Sequence, residues 1–158
     1  MIVDRNGLEV LGRDECLQLL RTVPVGRLGL SIDALPVVVP VNFALNGHRV
    51  VVGTGEGSKL DAAVAGMVVA FEADWWDPFG HRGWSVLVQG PAEVIDSGEE
   101  LEQVQRLPIR PWGTPRLLRY VGIPTDVVTG RRLRPGHAKP VTPAEPTTRL
   151  DTPCRATT

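Results

Sequence analysis

The chain has few cysteines, few lysines, no long apolar run and almost no net charge. Its two cysteines, Cys16 and Cys154, stand at opposite ends of the 158 residues. Neither has a partner at metal-ligand spacing, so no disulfide or zinc site is expected. No apolar run approaches the roughly 18 residues that a membrane span needs. The net charge of −1 gives no general attraction to nucleic acid or to an anionic membrane.

The N-terminal segment "MIVDRNGLEVLGRDE" contains acidic residues and no apolar stretch, unlike a secretory signal. Together with the scarcity of cysteine, this indicates a cytoplasmic protein. Hydrophobic residues make up 42% of the chain and charged residues 22%, a balance typical of a globular domain. We expect one domain over residues 1–134. Residues 135–158, rich in proline and threonine, are expected to form a disordered tail.

Alternating and β-branched segments predict a mainly β fold. A short helix is expected from about Arg13 to Arg21, with Gly12 as its N-cap, and a second one over residues 97–107. Strands are predicted at residues 26–32, 36–45, 48–53, 67–74 and 84–95, followed by a sixth strand or a pair of short ones before residue 134. Residues 75–83 are expected to be a loop. About six antiparallel strands indicate a small β-barrel, with an open β-sandwich as the alternative.

The stretch "VVVGTGEGSKLDAAVAG", residues 50–66, is typical of a strand, a glycine-rich turn and a short helix. A helix N-terminus attracts anions, and Thr54, Ser58 and Lys59 would add two hydroxyls and a positive charge. The turn is not a Walker A loop, which requires Gly-Lys-Ser/Thr. We interpret it as a phosphate site, with a plain helix cap at Ser58 as the alternative.

Several segments resemble, in order and spacing, the FMN-binding split-barrel family related to pyridoxamine 5'-phosphate oxidase. The most specific are "GEGSKL", "PVNF" and "GWSV", and the resemblance extends from about Leu11 to Leu133. It is closest to the branch that includes nitroimidazole-resistance-type flavoproteins. The resemblance implies a six-stranded antiparallel split β-barrel with short flanking helices. It also implies an FMN-dependent oxidoreductase that is a homodimer and takes electrons from a donor to an unidentified small molecule.

The resemblance also assigns residues to the cofactor. The "PVNF" strand would lie along the isoalloxazine ring, the "GEGSKL" turn would hold the phosphate, and the "GWSV" strand of a second subunit would close the site. Trp112 and Arg116 would line its mouth. The cofactor-binding residues implied in this way are Pro40, Val41, Asn42, Thr54, Ser58, Lys59, Leu60, Trp84 and Ser85.

One position departs from the family pattern, because members usually carry arginine where this chain has Gly53. A Gly53→Arg change is therefore expected to add a phosphate contact and tighten FMN binding without harm to the fold. Arg49, Arg82 and Arg131 are alternative cations for that role. The missing arginine keeps open a deazaflavin-dependent reductase on the same barrel. A non-enzymatic flavin- or haem-binding protein is the other alternative.

The remaining polar and aromatic clusters have less specific interpretations. Trp75 and Trp76 either face substrate or make packing contacts. The acidic residues Glu72, Asp74 and Asp77 have no histidine or cysteine at ligand spacing, so a solvated face or ion pairs are favoured over a metal site.

The basic run "GRRLR", residues 130–134, lacks the interleaved aromatics of a nucleic-acid patch. It is expected to lie near the flavin phosphate or in solvent. No residue is predicted to be catalytic, and no nucleophile–base arrangement is evident. That pattern suits an enzyme whose cofactor carries the electrons.

Overall fold

A computed structural model describes residues 2–55, 66–110 and 118–135. In these ranges the chain forms two helices and nine strands. The helices are α1 (Arg13–Leu20) and α2 (Gly98–Gln105). The strands are β1 (Glu9–Leu11), β2 (Val25–Ile32), β3 (Leu35–Asn46), β4 (Arg49–Gly55), β5 (Val68–Asp77), β6 (Arg82–Pro91), β7 (Glu93–Ile95), β8 (Leu118–Pro124) and β9 (Val127–Leu133).

All nine strands belong to one antiparallel sheet in the order β1-β9-β6-β5-β2-β3-β4-β8-β7. The sheet curls so that β6 also contacts β8. This confirms the predicted split β-barrel and the predicted meander of β2, β3 and β4. The expected number of six strands is wrong, because β1 and β7 are three-residue strands, too short to show a period, and the C-terminal segment forms a pair.

The predicted loop over residues 75–83 is also wrong at both ends. Strand β5 continues to Asp77 and β6 begins at Arg82, so that Trp75 pairs directly with Trp84. The turn between them is tight, and the Asp77 carboxylate accepts hydrogen bonds from the backbone N–H groups of Phe79 and Gly80 at 3.1 Å each. The aromatic pair favours pairing here because cross-strand aromatic contacts stabilise a sheet.

The main core fills the inside of the curled sheet and is closed by α1. Across β4 and β8 it contains the directly opposed pairs Val50–Ile123 and Val52–Val121. A second apolar cluster lies on the other face of β4, between that strand and α2. Its buried members are Val51, Ile95, Val104, Ile109 and Tyr120.

Candidate functional site

Strands β3 and β4 separate partway along their length, and this split is the candidate site. They pair from Phe43–Val52 to Asn46–Arg49 only. Beyond that point β4 keeps its pairing with β8, while the edge of β3 from residue 35 to 42 has no strand partner on that side within the described residues. Backbone N–H and C=O groups on such an edge need partners. The split therefore offers main-chain hydrogen bonds to a planar polar group.

Pro40, Val41 and Asn42 form one lip of the split. The Val41 side chain is buried in the main core, so only its backbone faces the opening. The Asn42 side-chain amide donates a hydrogen bond to the carbonyl oxygen of Arg110. Asn42 thus holds the chain that follows α2 against the lip, a role that its position in the sequence does not reveal.

Thr54 stands on the other lip, where the main core ends. It faces Arg119 directly across β4 and β8, in the same row of side chains as Val50–Ile123 and Val52–Val121. Thr54 is buried whereas Arg119 is exposed, and both make polar contacts. A hydroxyl beside a guanidinium at the end of an apolar row is suited to an anion. Sequence reasoning missed Arg119, because only the long-range β4–β8 pairing brings it to Thr54.

Part of the predicted site lies outside the described residues. Ser58, Lys59 and Leu60 follow β4 within residues 56–65, and Trp112 and Arg116 lie within residues 111–117. Their assignments stay predictions. The described part of β4 ends at Gly55, one residue after Thr54.

Trp84 and Ser85 do not join this split within one chain. They lie on β6, and β5 and β2 separate that strand from β3. Three strand spacings put Ser85 about 14 Å from the β3 lip along the sheet. The two residues also face opposite ways: Trp84 packs against the main core, and Ser85 is exposed on the outer face. Within one chain, Ser85 therefore lies on the outer face, three strands from the β3 lip.

Ser85 lines a shallow cleft of about 330 Å³ on the outer face. Asp74, Trp76 and Arg131 line it as well, and Ser85 pairs with Asp74 on one side and Arg131 on the other. Small-molecule pockets usually occupy ~300–1,000 Å³. This cleft is at the lower end of that range, so it is too small for a whole dinucleotide.

The surroundings of Gly53 contradict the expectation that arginine at this position would leave the fold unharmed. Alternation along β4 points its missing side chain away from Thr54 and into the second apolar cluster. A Cβ built on Gly53 would lie 2.9 Å from Ile109 Cγ2 and 3.2 Å from Leu118 Cδ1. These neighbouring atoms are all hydrocarbon, so an arginine here would crowd the second apolar cluster and its side chain would start on the face opposite Thr54.

The three alternative cations are held elsewhere by carboxylates. Arg49, at the far end of β4, binds Glu93 and Glu100. Arg82 binds Asp77 at 3.1 Å, and Arg131 binds Asp4 at 3.0 Å. Within the described ranges Arg119 is the arginine paired across the sheet with Thr54.

The acidic residues on the outer face form ion pairs, as predicted. Arg27 binds Glu72 at 3.1 Å and Asp74 at 3.0 Å. Burial raises the pKa of Glu72, and the neighbouring charge of Asp74 raises it further. The described residues contain no cluster of three metal-ligating side chains, and none of their helices is long and apolar enough to cross a membrane.

The family model described as Pyridoxamine 5'-phosphate oxidase matches residues 12–132 of the chain. Uncharacterized protein Rv0080 of Mycobacterium tuberculosis is 39% identical to it over 128 residues, which cover 78% of this chain and 84% of that protein.

Two solved structures illustrate the range of related folds. The FAD binding protein from Mycobacterium smegmatis is 34% identical and superimposes with a TM-score of 0.70, over 79% of this chain and 97% of that chain. A candidate 5-nitroimidazole antibiotic resistance protein from Bacteroides thetaiotaomicron has 17% identity and a TM-score of 0.61, over 80% of this chain and 89% of that chain. The second likeness shows the fold alone.

Proposed function

The chain belongs to the pyridoxamine 5'-phosphate oxidase family, and from this premise we propose that it binds a flavin nucleotide in the split between β3 and β4. The cofactor we propose is FMN, and the activity is that of a flavin-dependent oxidoreductase acting on a small molecule. The observation that carries the proposal is the split itself, where an edge of β3 without a strand partner among the described residues lies beside the stretch of β4 that ends at Thr54 and Gly55. The similarity to an FAD binding protein supports the choice of a flavin.

The two lips of the split suit different parts of a flavin. The edge of β3 at Pro40, Val41 and Asn42 offers backbone groups to the polar rim of the isoalloxazine ring. Thr54 and Arg119, followed by Ser58 and Lys59 in the sequence, offer hydroxyl and cationic donors to the phosphate. When bound, the flavin supplies the redox chemistry. The residues of this chain bind it, orient it and exclude water from one of its faces.

A homodimer is part of the proposal. Ser85 and the β3 lip are separated by three strand spacings, about 14 Å along the curled sheet, and Ser85 is exposed on the outer face. The outer face also exposes Val38 at 67% and Trp76 at 53%. Burying this apolar surface against a second subunit would stabilise the dimer. We propose that the β6 strand of one subunit closes the split of its partner.

We expect the purified protein to sediment as a dimer and its flavin site to need both subunits. An Arg119→Gln chain mixed with a Ser85→Arg chain should form dimers in which one of the two sites is intact. Flavin binding measured by fluorescence quenching should then return to about a quarter of the wild-type stoichiometry, because about half of randomly mixed dimers are heterodimers. A stable monomer with full flavin affinity would contradict the shared site.

We expect Lys59→Ala to weaken FMN binding about ten- to a hundredfold while leaving riboflavin binding nearly unchanged. A hydrogen bond to a charged group contributes about 1.5–3 kcal/mol, and only FMN has the phosphate. Arg119→Gln should behave in the same way if Arg119 also contacts the phosphate. Titration with both ligands measures the difference, and equal losses for FMN and riboflavin would show that these cations support the fold instead.

The absorption spectrum of the purified protein tests the cofactor directly. A yellow protein whose released cofactor is FMN supports the proposal. Released FAD would support a flavin function with FAD in place of FMN. A colourless protein that binds only a deazaflavin would instead support a deazaflavin-dependent reductase. Binding of none of these would overturn the flavin function.

A further inference from the structure

A second cleft lies at the end of the barrel beside β1 and is separate from the split. It has a volume of about 320 Å³. Trp75 and Trp84, which are directly opposite each other across β5 and β6, line it together with Arg82, Arg132 and Arg134. The resemblance assigns Trp84 to the cofactor and leaves residues 130–134 near the flavin phosphate or in solvent. The proposed flavin contacts use neither Trp75 nor the three arginines of this cleft.

The arginines are fixed in place by carboxylates. Arg134 forms a two-point ion pair with Glu9 at 2.7 and 2.8 Å. Arg132 binds Glu15 at 2.5 Å and, more weakly, Glu9. Bidentate and networked pairs hold a guanidinium in one orientation. The two pairs favour one orientation of Arg132 and Arg134 at the rim of the cleft.

The positive ends of two pairs are more exposed than the negative ends. The side chain of Arg134 is 48% exposed and that of Glu9 12%. For Arg82 and Asp77 the values are 58% and 22%. The third carboxylate, Glu15, is 40% exposed beside an Arg132 that is 23% exposed. An approaching ligand therefore meets guanidinium groups first at Arg82 and Arg134.

Arg82 also stacks near an indole. Its guanidinium carbon lies 5.8 Å from the Trp75 ring centroid. Of its nitrogens, Nε donates a hydrogen bond to the Asp77 carboxylate. Its terminal nitrogens remain available as donors. An aromatic face beside a free guanidinium edge is suited to a flat ring that carries a negative group.

We propose that this cleft, between Trp75, Trp84 and the three arginines, binds a nucleoside phosphate, with the base on the indoles and the phosphate on Arg82 and Arg134. The volume, near the lower end of ~300–1,000 Å³, suits one nucleotide unit and not a whole dinucleotide. Two sources share this chemistry. One is the adenylate half of a flavin dinucleotide, which rests on the proposed flavin function, and the other is a nucleotide electron donor.

AMP is the probe, and calorimetric titration of the full chain is the measurement. We expect AMP to bind, and Trp75→Leu and Arg82→Gln each to weaken AMP binding about tenfold. Arg82→Gln should not weaken the binding of adenosine, which lacks the phosphate. Phe79→Leu and Arg106→Gln are matched controls, because Phe79 is 95% exposed in the neighbouring turn and Arg106 lies at the end of α2. Neither control should change AMP binding.

The two sources are separated by competition. AMP that displaces FAD but not FMN identifies the adenylate half of a flavin dinucleotide. AMP that displaces NADH or NADPH and leaves both flavins bound identifies a donor site. Arg82→Gln keeps the test open if Trp75→Leu does not fold, since the Arg82 side chain is mostly in solvent.

No AMP binding at millimolar concentration, or equal loss in the controls, would overturn the inference. Flavin binding without AMP binding would overturn the nucleotide cleft and leave the proposed flavin function in place. AMP binding without flavin binding would support it while removing the proposed function.

Discussion

Gly53→Arg is expected to destabilise the protein by about 2–4 kcal/mol and not to tighten FMN binding. The added Cβ would lie 2.9 Å from Ile109 Cγ2, and overpacking of a well-packed cluster costs about 1–3 kcal/mol. The charged guanidinium would also start within an apolar cluster that cannot solvate it, which lowers the free energy of unfolding further. This result reverses the expectation from the family pattern.

The measurement is urea unfolding of a graded set of variants. Gly53→Ala should show the overpacking cost alone, and Gly53→Arg should cost more. Adding Ile109→Ala removes the close Cγ2 atom, so Gly53→Ala should cost less in that background, with a coupling of about 1 kcal/mol. Unchanged stability of Gly53→Arg together with tighter FMN binding would show that arginine here does reach the phosphate.

The local parts of the fold could be predicted from the sequence because they depend on short-range patterns. Alternation gave the strands around Leu28 and Val39, and Asn46–Gly47 predicted the β3–β4 hairpin. The N-cap of α1 at Gly12 is confirmed. Each of these features is decided by residues within a few positions of one another.

Pairings between distant segments could not be predicted in the same way. The row that brings Arg119 to Thr54 depends on the register of β4 with β8, which are more than sixty residues apart. The filling of the space at Gly53 depends on Ile109, which follows α2. Neither strand carries a local pattern that specifies its partner. The arginine opposite Thr54 was therefore missed, and so was the crowding that a side chain at Gly53 would meet.

Motifs within one segment could be recognised from the sequence, but the arrangement of those segments around the candidate site could not. Motif resemblance identified Pro40–Asn42 and Thr54, which the structure places on the two lips of one split. It also identified Ser85, but no sequence pattern shows that Ser85 lies three strands away and faces outward. The proposal therefore brings Ser85 to the split from a second subunit.

Gly26→Ala is expected to have the largest effect on the fold near the site, with a loss of about 3 kcal/mol in the free energy of unfolding. A Cβ on Gly26 would lie 2.5 Å from Phe71 Cζ and 2.7 Å from the backbone oxygen of Glu72. Phe71 is fully buried and packs edge-on against Phe43 with ring centroids 4.7 Å apart. The ring cannot move aside without disturbing the core, so the strands must shift.

The same shift should weaken flavin binding, because Gly26 pairs with Val41 on the β3 lip. For a domain of this size the expected fall in melting temperature is about 6–12 °C. Gly29→Ala is the matched control in the same strand, since its Cβ would make only ordinary contacts at 3.5 Å and beyond. It should change stability by no more than about 0.5 kcal/mol.

Phe71→Leu in the Gly26→Ala background should recover part of the loss. The smaller side chain removes the contact with the ring, but the contact with the Glu72 backbone oxygen remains, so recovery should be incomplete. A cycle of the two single variants and the double variant measures the coupling, which we expect to be about 1–2 kcal/mol. Additive losses would mean that the backbone contact alone sets the cost. A Gly26→Ala protein as stable as wild type, with flavin affinity intact, would show that β2 and β5 adjust without moving the β3 lip.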